Sequence, residues 1–436
     1  MKTGIAALSE GKISRTFFVV TSSISRKEWV LISERSALTI SKVRFIFIIS
    51  IVFAFLFVLN DGLLSQSLAE IYKSGKVRFV PEMTITDEAM GGKDFFGSLL
   101  AVALDDKGNL YVCDYQANNL KKFDSAGKYL GTIGKAGQGP GDFNGPVSLE
   151  FSKGRLYVRE GMNSRVSILN PDGSFIKSVP IDFKKESWQV MRALPDGRFV
   201  VQKEIAHMET LAAHQNAAQD APQDFYLELY SFDLGFIKTI YHRQVRRNKY
   251  VTEQHYANVP IPYAPYVYWD ITPDGKIVVG YSEKYEIEVY DPDKGKISSF
   301  SHAYTPVEVT VPDKDSFFRG ITVTTITDGG ERSVKRGAPD YMVKNIEFPK
   351  VFPPFHDLKV DSQGNIWITP WTSQAQKTGA VFDAYGPDGK FLNRVQVENN
   401  EKIQLRPYWL PNGFWCIRVN ADGEDRIVKY RITGLN

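Results

Sequence analysis

LLAVALDDKGNLYVCDYQANNLKKFDSAGKYLGTIGKAGQGPGDFNGP, residues 99–146, holds four short apolar runs separated by turn residues. Val102 and Leu104 alternate with small or polar neighbours, the pattern of a half-buried strand. Asp105-Asp106-Lys107-Gly108 supplies turn chemistry, and Leu110-Tyr111-Val112 brings the β-branched and aromatic residues that fit a pleated surface. Asn118-Asn119 begins a return into Leu120–Phe123. Asp124–Gly127 turns again, and Tyr129–Ile133 makes a fourth run. Four strands in about 45 residues is the size of one propeller blade.

The central phrase recurs. It reads DDKGNLYV at 105–112, SKGRLYV at 152–158, LPDGRFVV at 194–201, TPDGKIVV at 272–279, DSQGNIWI at 361–368 and LPNGFWCI at 410–417. The later half of the unit repeats too, as NPDGSFIKSV at 170–179, DLGFIKTI at 233–240, DPDKGKISSF at 291–300 and GPDGKFLNRV at 386–395. An ordinary β-sandwich with frequent turns is the competing architecture, but repeats this regular favour a ring. The expectation is an all-β, six-bladed propeller of four-stranded antiparallel blades over residues 70–436. The sixth unit stops at Asn436 without its own outer strand, and Gly75–Val80 reads like the missing phrase. An N-terminal strand completing the last blade would close the ring and remove a free edge.

The chain has 436 residues, 43% of them hydrophobic, and a net charge of +3. That charge is unevenly placed: residues 1–44 carry eight Lys or Arg against three Glu, leaving 45 basic and 47 acidic side chains in the rest. A near-neutral body argues against nucleic acid as a partner. Cys113 and Cys416, the only two cysteines, fall in the central phrases of neighbouring units. Buried free thiols are expected, with a disulfide the alternative, since their offsets from the phrase glycine differ.

Residues 45–59, FIFIISIVFAFLFVL, are fifteen residues without a charge, preceded by Lys42 and Arg44. The length suits a signal-peptide apolar core better than a membrane span. Ser67-Leu68-Ala69 offers small residues for cleavage before Glu70, which makes 45–69 a signal peptide. A retained anchor over 45–64, with its basic side in the cytoplasm, is the alternative. Both place the propeller outside the cytoplasm, periplasmic, secreted or tethered to the inner membrane. Residues 1–44 form a long basic leader, read as a short cytoplasmic tail or an early gene start.

Three inserts interrupt the repeat. Residues 203–224 are rich in Ala, Gln and His and point to a short helix or a loop. Residues 241–265 are basic and aromatic, with Arg243, Arg246, Arg247 and Tyr263, and read as a solvated loop packing tyrosines on the ring. Residues 303–352 contain strand-like Val307–Val311 and Ile321–Ile326 and a hairpin turn at Asp328-Gly329-Gly330. Long loops in a compact fold are usually functional or disordered.

GKAGQGPGDFNGP at 134–146 with the following GRLYV and NSRVSILNPDGSF, and GNLYVCDYQANNLKKFDSAGKYLGTIG at 108–134, resemble the NHL repeat. PPFHDLKVDSQGNIWITPW at 353–371 and WDITPDGKIVVGYSEKYEIEVYDPDKGK at 269–296 are similar to exported bacterial six-bladed β-propeller proteins related to it. The resemblance spans roughly residues 75–434. It implies a propeller fold and barely constrains activity. Asn163 and Arg165 are expected to tie down a turn within the second unit.

Catalytic motifs are absent. Some relatives of this fold, the peptidyl-hydroxyglycine lyases, place histidines from several blades around zinc. Of His207, His214, His242, His255, His302 and His356, only His356 starts an inner strand. The glycines of 134–141 run from strand to strand rather than into a helix, so they make no phosphate loop. Aligning the inner strands on their phrase glycines gives Arg192, Tyr268, Asp270, His356, Asp357, Lys359 and Arg406 as channel residues. Two carboxylates among several cations make a poor metal cage and a better anion or polar-ligand site. The expected role is therefore a monomeric binding or scaffold module for a protein, peptide or glycan, with no cofactor. The alternative is a metal-assisted lyase or lactonase-type hydrolase, with a divalent cation in the channel near Asp270, His356 and Asp357.

Overall fold

The computed structural model describes residues 67–435, apart from 183–186, 207–218, 254, 327–331, 377–378, 400–406 and 421. The basic leader, the apolar run 45–59, the turn at 328–330 and Arg406 lie outside the described residues. Among the described residues no helix is long and apolar enough to cross a membrane.

Strands dominate, and they form a propeller-like ring of four-stranded antiparallel sheets. Leu99–Leu104, Leu110–Asp114, Asn119–Phe123 and Tyr129–Ile133 make the first sheet, in simple up-and-down order. The second spans Pro146–Ser152 to Phe175–Pro180 and the fourth Val267–Ile271 to Gly295–Ser301. The third starts at Trp188–Ala193 and has a fifth strand, His255–Pro260. Eight further strands share one sheet. Its first half runs from Phe355–Val360 to Phe391–Val397, and its second comprises Tyr408–Leu410, Gly413–Val419, Asp425–Gly434 and Lys76–Ile85.

The turns explain why the repeat folds alike each time. Asp105 accepts hydrogen bonds from the backbone N–H of Lys107 and Asn109, both at 2.9 Å, while Gly108 takes φ 78°. In the fifth repeat Asp361 does the same for Gln363 and Asn365, both at 2.9 Å, with Gly364 at φ 82°. A side-chain acceptor and a residue free to adopt positive φ define the turn.

Each sheet buries its face against the next. Ala103, Tyr111 and Leu120 pack with Leu149, Leu156 and Val158, and Tyr157 and Ile168 pack with Trp188, Met191 and Phe199. The same holds between Leu227 and Trp269, and between Ile287 and Phe355. Leu99, Val112 and Phe123 then meet Trp415, Ile417 and Ile427, which joins the last sheet to the first. Cys113 and Cys416 are free and buried within these layers; burial pushes both thiols up.

The N-terminal strand lies where the missing repeat predicts. Val77 to Ile85 pair antiparallel with Gly434 to Ile427, and a bulge separates Pro81 from Met83. Lys76 and Val77 also make two parallel rungs with Gln396 and Val397. Those rungs merge what the repeat predicts as two separate sheets into the eight-stranded one.

The inserts differ from the sequence-based expectation. The described ends of 203–224 are strand, in Phe199–Ala206 and Gln219–Tyr230, and the Ala-, Gln- and His-rich middle expected as a helix or loop, 207–218, lies outside the described residues. The basic segment 241–265 is not a loop: Phe236–Glu253 continues as one 18-residue strand and folds back through His255–Pro260. The first two inserts are thus one arm of the third sheet, because Phe225, Leu227 and Val245 keep a buried face along it. In 303–352, Val307–Val311 forms no strand beyond a single bridge from Glu308 to Val351. A helix begins at Val311 instead, because Thr310 and Asp313 form a capping box with a proline in the first turn. Thr322–Ile326 and Arg332–Arg336 do pair as a hairpin. Tyr263 of the second insert packs on Phe317, Phe348 and Phe352 of the third and on Trp371.

Asn163 and Arg165 reach further than a turn within their own sheet. Asn163 donates to the Gly137 carbonyl, and Arg165 donates to those of Gln138, Gly139 and Asp142. They pin the glycine-rich crossing from the first sheet to the second.

Candidate functional site

The inner strands place one residue per sheet at a common level along the ring axis. Residues three after the phrase glycines are Tyr111, Tyr157, Val200, Val278 and Trp367, and their inner-strand partners are Ala103, Glu150, Arg192, Asp270 and Lys359. From the second sheet to the fifth the charges alternate in sign. Arg192 Nε lies 3.4 Å from Glu150 Oε1, and Arg192 Nη1 lies 3.1 Å from Asp270 Oδ1. The free edges are capped in passing: Glu150 Oε2 accepts from Ala193 N at 3.1 Å and Asp270 Oδ2 from Val360 N at 3.0 Å. Burial alone would lower the Arg192 pKa; the Asp270 and Glu150 carboxylates outweigh it and raise it.

A cavity of about 820 Å³ lies along this axis, with Ala103, Glu150, Arg192, Ile271, Val360 and Tyr408 among its lining. The first strand of each of the four smaller sheets of the ring contributes, as does the first strand of each half of the eight-stranded sheet. A second cavity, of about 360 Å³, shares Arg192 and Pro407 with it and is lined further by Tyr268, Asp270, Asp357 and Lys359. The arm of the third sheet adds Gln202, Glu204 and Arg247 to its wall.

Side chains in this second cavity are heavily cross-bonded. Trp269 Nε1 donates to Gln202 Oε1 at 2.7 Å, and Gln202 Nε2 donates to Glu204 at 3.0 Å and to the Tyr266 hydroxyl at 2.9 Å. The Tyr266 hydroxyl donates to Glu204. Arg247 covers the Tyr266 ring at 4.2 Å and reaches Glu204 at 3.6 Å. Lys359 pairs with Asp357. Burial pushes the Tyr268 hydroxyl up to about 12.

Of the residues predicted from sequence, Arg192, Tyr268, Asp270, Asp357 and Lys359 come together here. His356 is not part of this lining; its ring sits 4.6 Å from Trp371, in an adjoining cavity of about 170 Å³ that Asp357 and Lys359 also line. Asp270 is held by Arg192 and by the backbone of Ile271 and Val360. Among the described residues no group of three or more His, Cys, Asp or Glu side chains is placed to hold a metal ion.

Glu150, Glu204 and Arg247 were not among the sequence candidates. Glu150 occupies the register of Asp270 but stands four rather than five residues before its glycine, because the SKG turn is one residue shorter than TPDG. Pairing on the strand, not counting from the glycine, finds it. Glu204 and Arg247 belong to the arm and carry no repeat signal.

No protein-family model matches the chain, and none of the curated proteins does. Solved structures are similar along most of its length. A Bacteroides vulgatus protein of the family of unknown function DUF4221 is 10% identical, with 83% of this chain and 100% of the other covered and a TM-score of 0.44. A Bacteroides fragilis protein described as exported is 11% identical, covering 82% and 95%, at 0.43. Virginiamycin B lyase from Staphylococcus aureus is 13% identical, covering 82% and 99%, at 0.37. Identity and overlap are both too low for these likenesses to carry chemistry from one molecule to another.

Proposed function

We propose that the chain is an exported or membrane-tethered binding module, an NHL-like six-bladed propeller that recognises a protein, peptide or glycan at the mouth carrying its inserts. The eight-stranded sheet is read as two blades that touch through two rungs. In support, its halves pack face to face, Trp367 and Phe382 against Phe79, Phe414 and Val428. The observation that carries the functional reading is the 360 Å³ cavity, to which three sheets and the inserted arm all contribute. Its size falls within the roughly 300–1,000 Å³ of small-molecule sites.

The test is a binding screen of the purified full chain against arrays of glycans and peptides, repeated with Asp357→Ala and Lys359→Ala. The expected result is a ligand whose affinity falls at least about tenfold, or about 1.4 kcal/mol, in both variants at unchanged melting temperature. A ligand indifferent to both substitutions removes this cavity as the site. Sequencing the N-terminus of protein recovered from the extracytoplasmic fraction tests export and tells a cleaved leader from a retained anchor.

A further inference from the structure

Resting on that binding reading, we infer that the 360 Å³ cavity takes an uncharged polyhydroxylated ligand, the size of one or two neutral sugar units. Charge balance is the first ground. Among the described lining residues three cations, Arg192, Arg247 and Lys359, face three carboxylates, Asp270, Glu204 and Asp357, and each cation is paired with one of them. A ligand of net charge gains from one member of a pair only by pulling it from the other, and separating a partly desolvated pair is unfavourable. A hydroxyl both donates and accepts. Vicinal hydroxyls can therefore donate to a carboxylate and accept from the adjoining guanidinium or ammonium while the pair stays intact.

The second ground is the strand edge. An extended peptide binds a sheet by adding a strand to its free edge. In the adjoining 820 Å³ cavity two edge N–H groups are already taken by carboxylates of the preceding sheet: Ala193 N by Glu150 at 3.1 Å and Val360 N by Asp270 at 3.0 Å. A peptide that enters from that side to add a strand meets both donors already engaged. The third ground is the half-buried Tyr268 in the lining. Aromatic faces are electron-rich, and they suit the electropositive C–H face of a pyranose ring.

The full chain is titrated with the methyl glycosides of glucose, galactose, mannose and N-acetylglucosamine, and with glucuronate and glucosamine as charged counterparts. Intrinsic tryptophan emission and ligand-observed NMR report binding. At least one neutral glycoside is expected to bind, with the charged counterparts at least tenfold weaker. Asp357→Asn and Tyr268→Leu are expected each to weaken binding at least tenfold; Lys359→Gln serves in place of either that does not fold. No binding by any neutral glycoside, tighter binding of a charged counterpart, or binding unchanged in folded variants overturns the inference. If a peptide from the array binds instead and is lost in Lys359→Gln, the sugar assignment falls and the binding module stands. If no ligand of any class responds to these substitutions, both fall.

Discussion

Arg192 is the residue on which the channel turns. Its guanidinium spans the carboxylates of two neighbouring sheets, and each carboxylate also caps a backbone N–H of the sheet beyond. Removing the cation leaves buried Asp270 and largely buried Glu150 without their shared partner, and broken pairs of this kind cost more than intact ones contribute. Arg192→Met is expected to lower stability by about 2–3 kcal/mol, read from urea unfolding. A companion Glu150→Gln in the same background should recover part of that loss. Asp313 gives a residue-scale dependence on acid. Burial would raise its pKa, but hydrogen bonds from Gln374 N, Thr310 and Ser373 outweigh it and hold the carboxyl low. A depressed folded-state pKa contributes stability above the unfolded value of about 3.9 and loses it as pH falls through the folded one. The helix Val311–Gly320 should therefore loosen from Ser373 and Gln374 below about pH 4, seen as faster proteolysis within 303–352. Asp313→Asn should show that faster cleavage already at pH 7.

At the scale of elements, the short helix Leu68–Lys73 shows how a local exception is repaired. In the first sheet Tyr111 donates its hydroxyl to Asp105 at 3.0 Å. The equivalent position of the fifth repeat is Trp367, and there Tyr72 of this helix donates to Asp361 at 2.9 Å instead. Ser67 caps the helix, Leu68 is fully buried, and Leu68 N donates to Gln363 at 2.9 Å. Cleavage before Glu70, as the small residues suggest, would discard the capping residue Ser67 and remove Leu68 from a packed core. Tyr72→Phe is expected to cost about 1–3 kcal/mol, because it leaves buried Asp361 short of a donor; chemical denaturation measures it. This helix was not legible in advance: six residues carry too little periodicity, and the signal that fits them is their resemblance to a cleavage site. In the arm, the basic segment from 241 on reads as a loop in isolation, and pairing of Phe236–Glu253 with Gln219–Tyr230 decides for strand.

For the whole molecule, the phrase glycines made the order of the sheets and the place of the N-terminal strand readable, since turn chemistry repeats with the fold. The axial charges were readable in part. Arg192, Asp270 and Lys359 follow from the glycine count, and Glu150 escapes it by one residue of turn length. What no count reaches is the side wall of the cavity, built by an insertion that belongs to one sheet alone. The pairing of Val77–Ile85 with Ile427–Gly434 has a consequence in time as well as in space. More than three hundred residues separate the two strands, so the first waits unpaired while a ribosome or a translocation pore delivers the remainder. Contacts this distant in sequence form late. The circle cannot shut before the strand Asp425–Gly434 has been delivered.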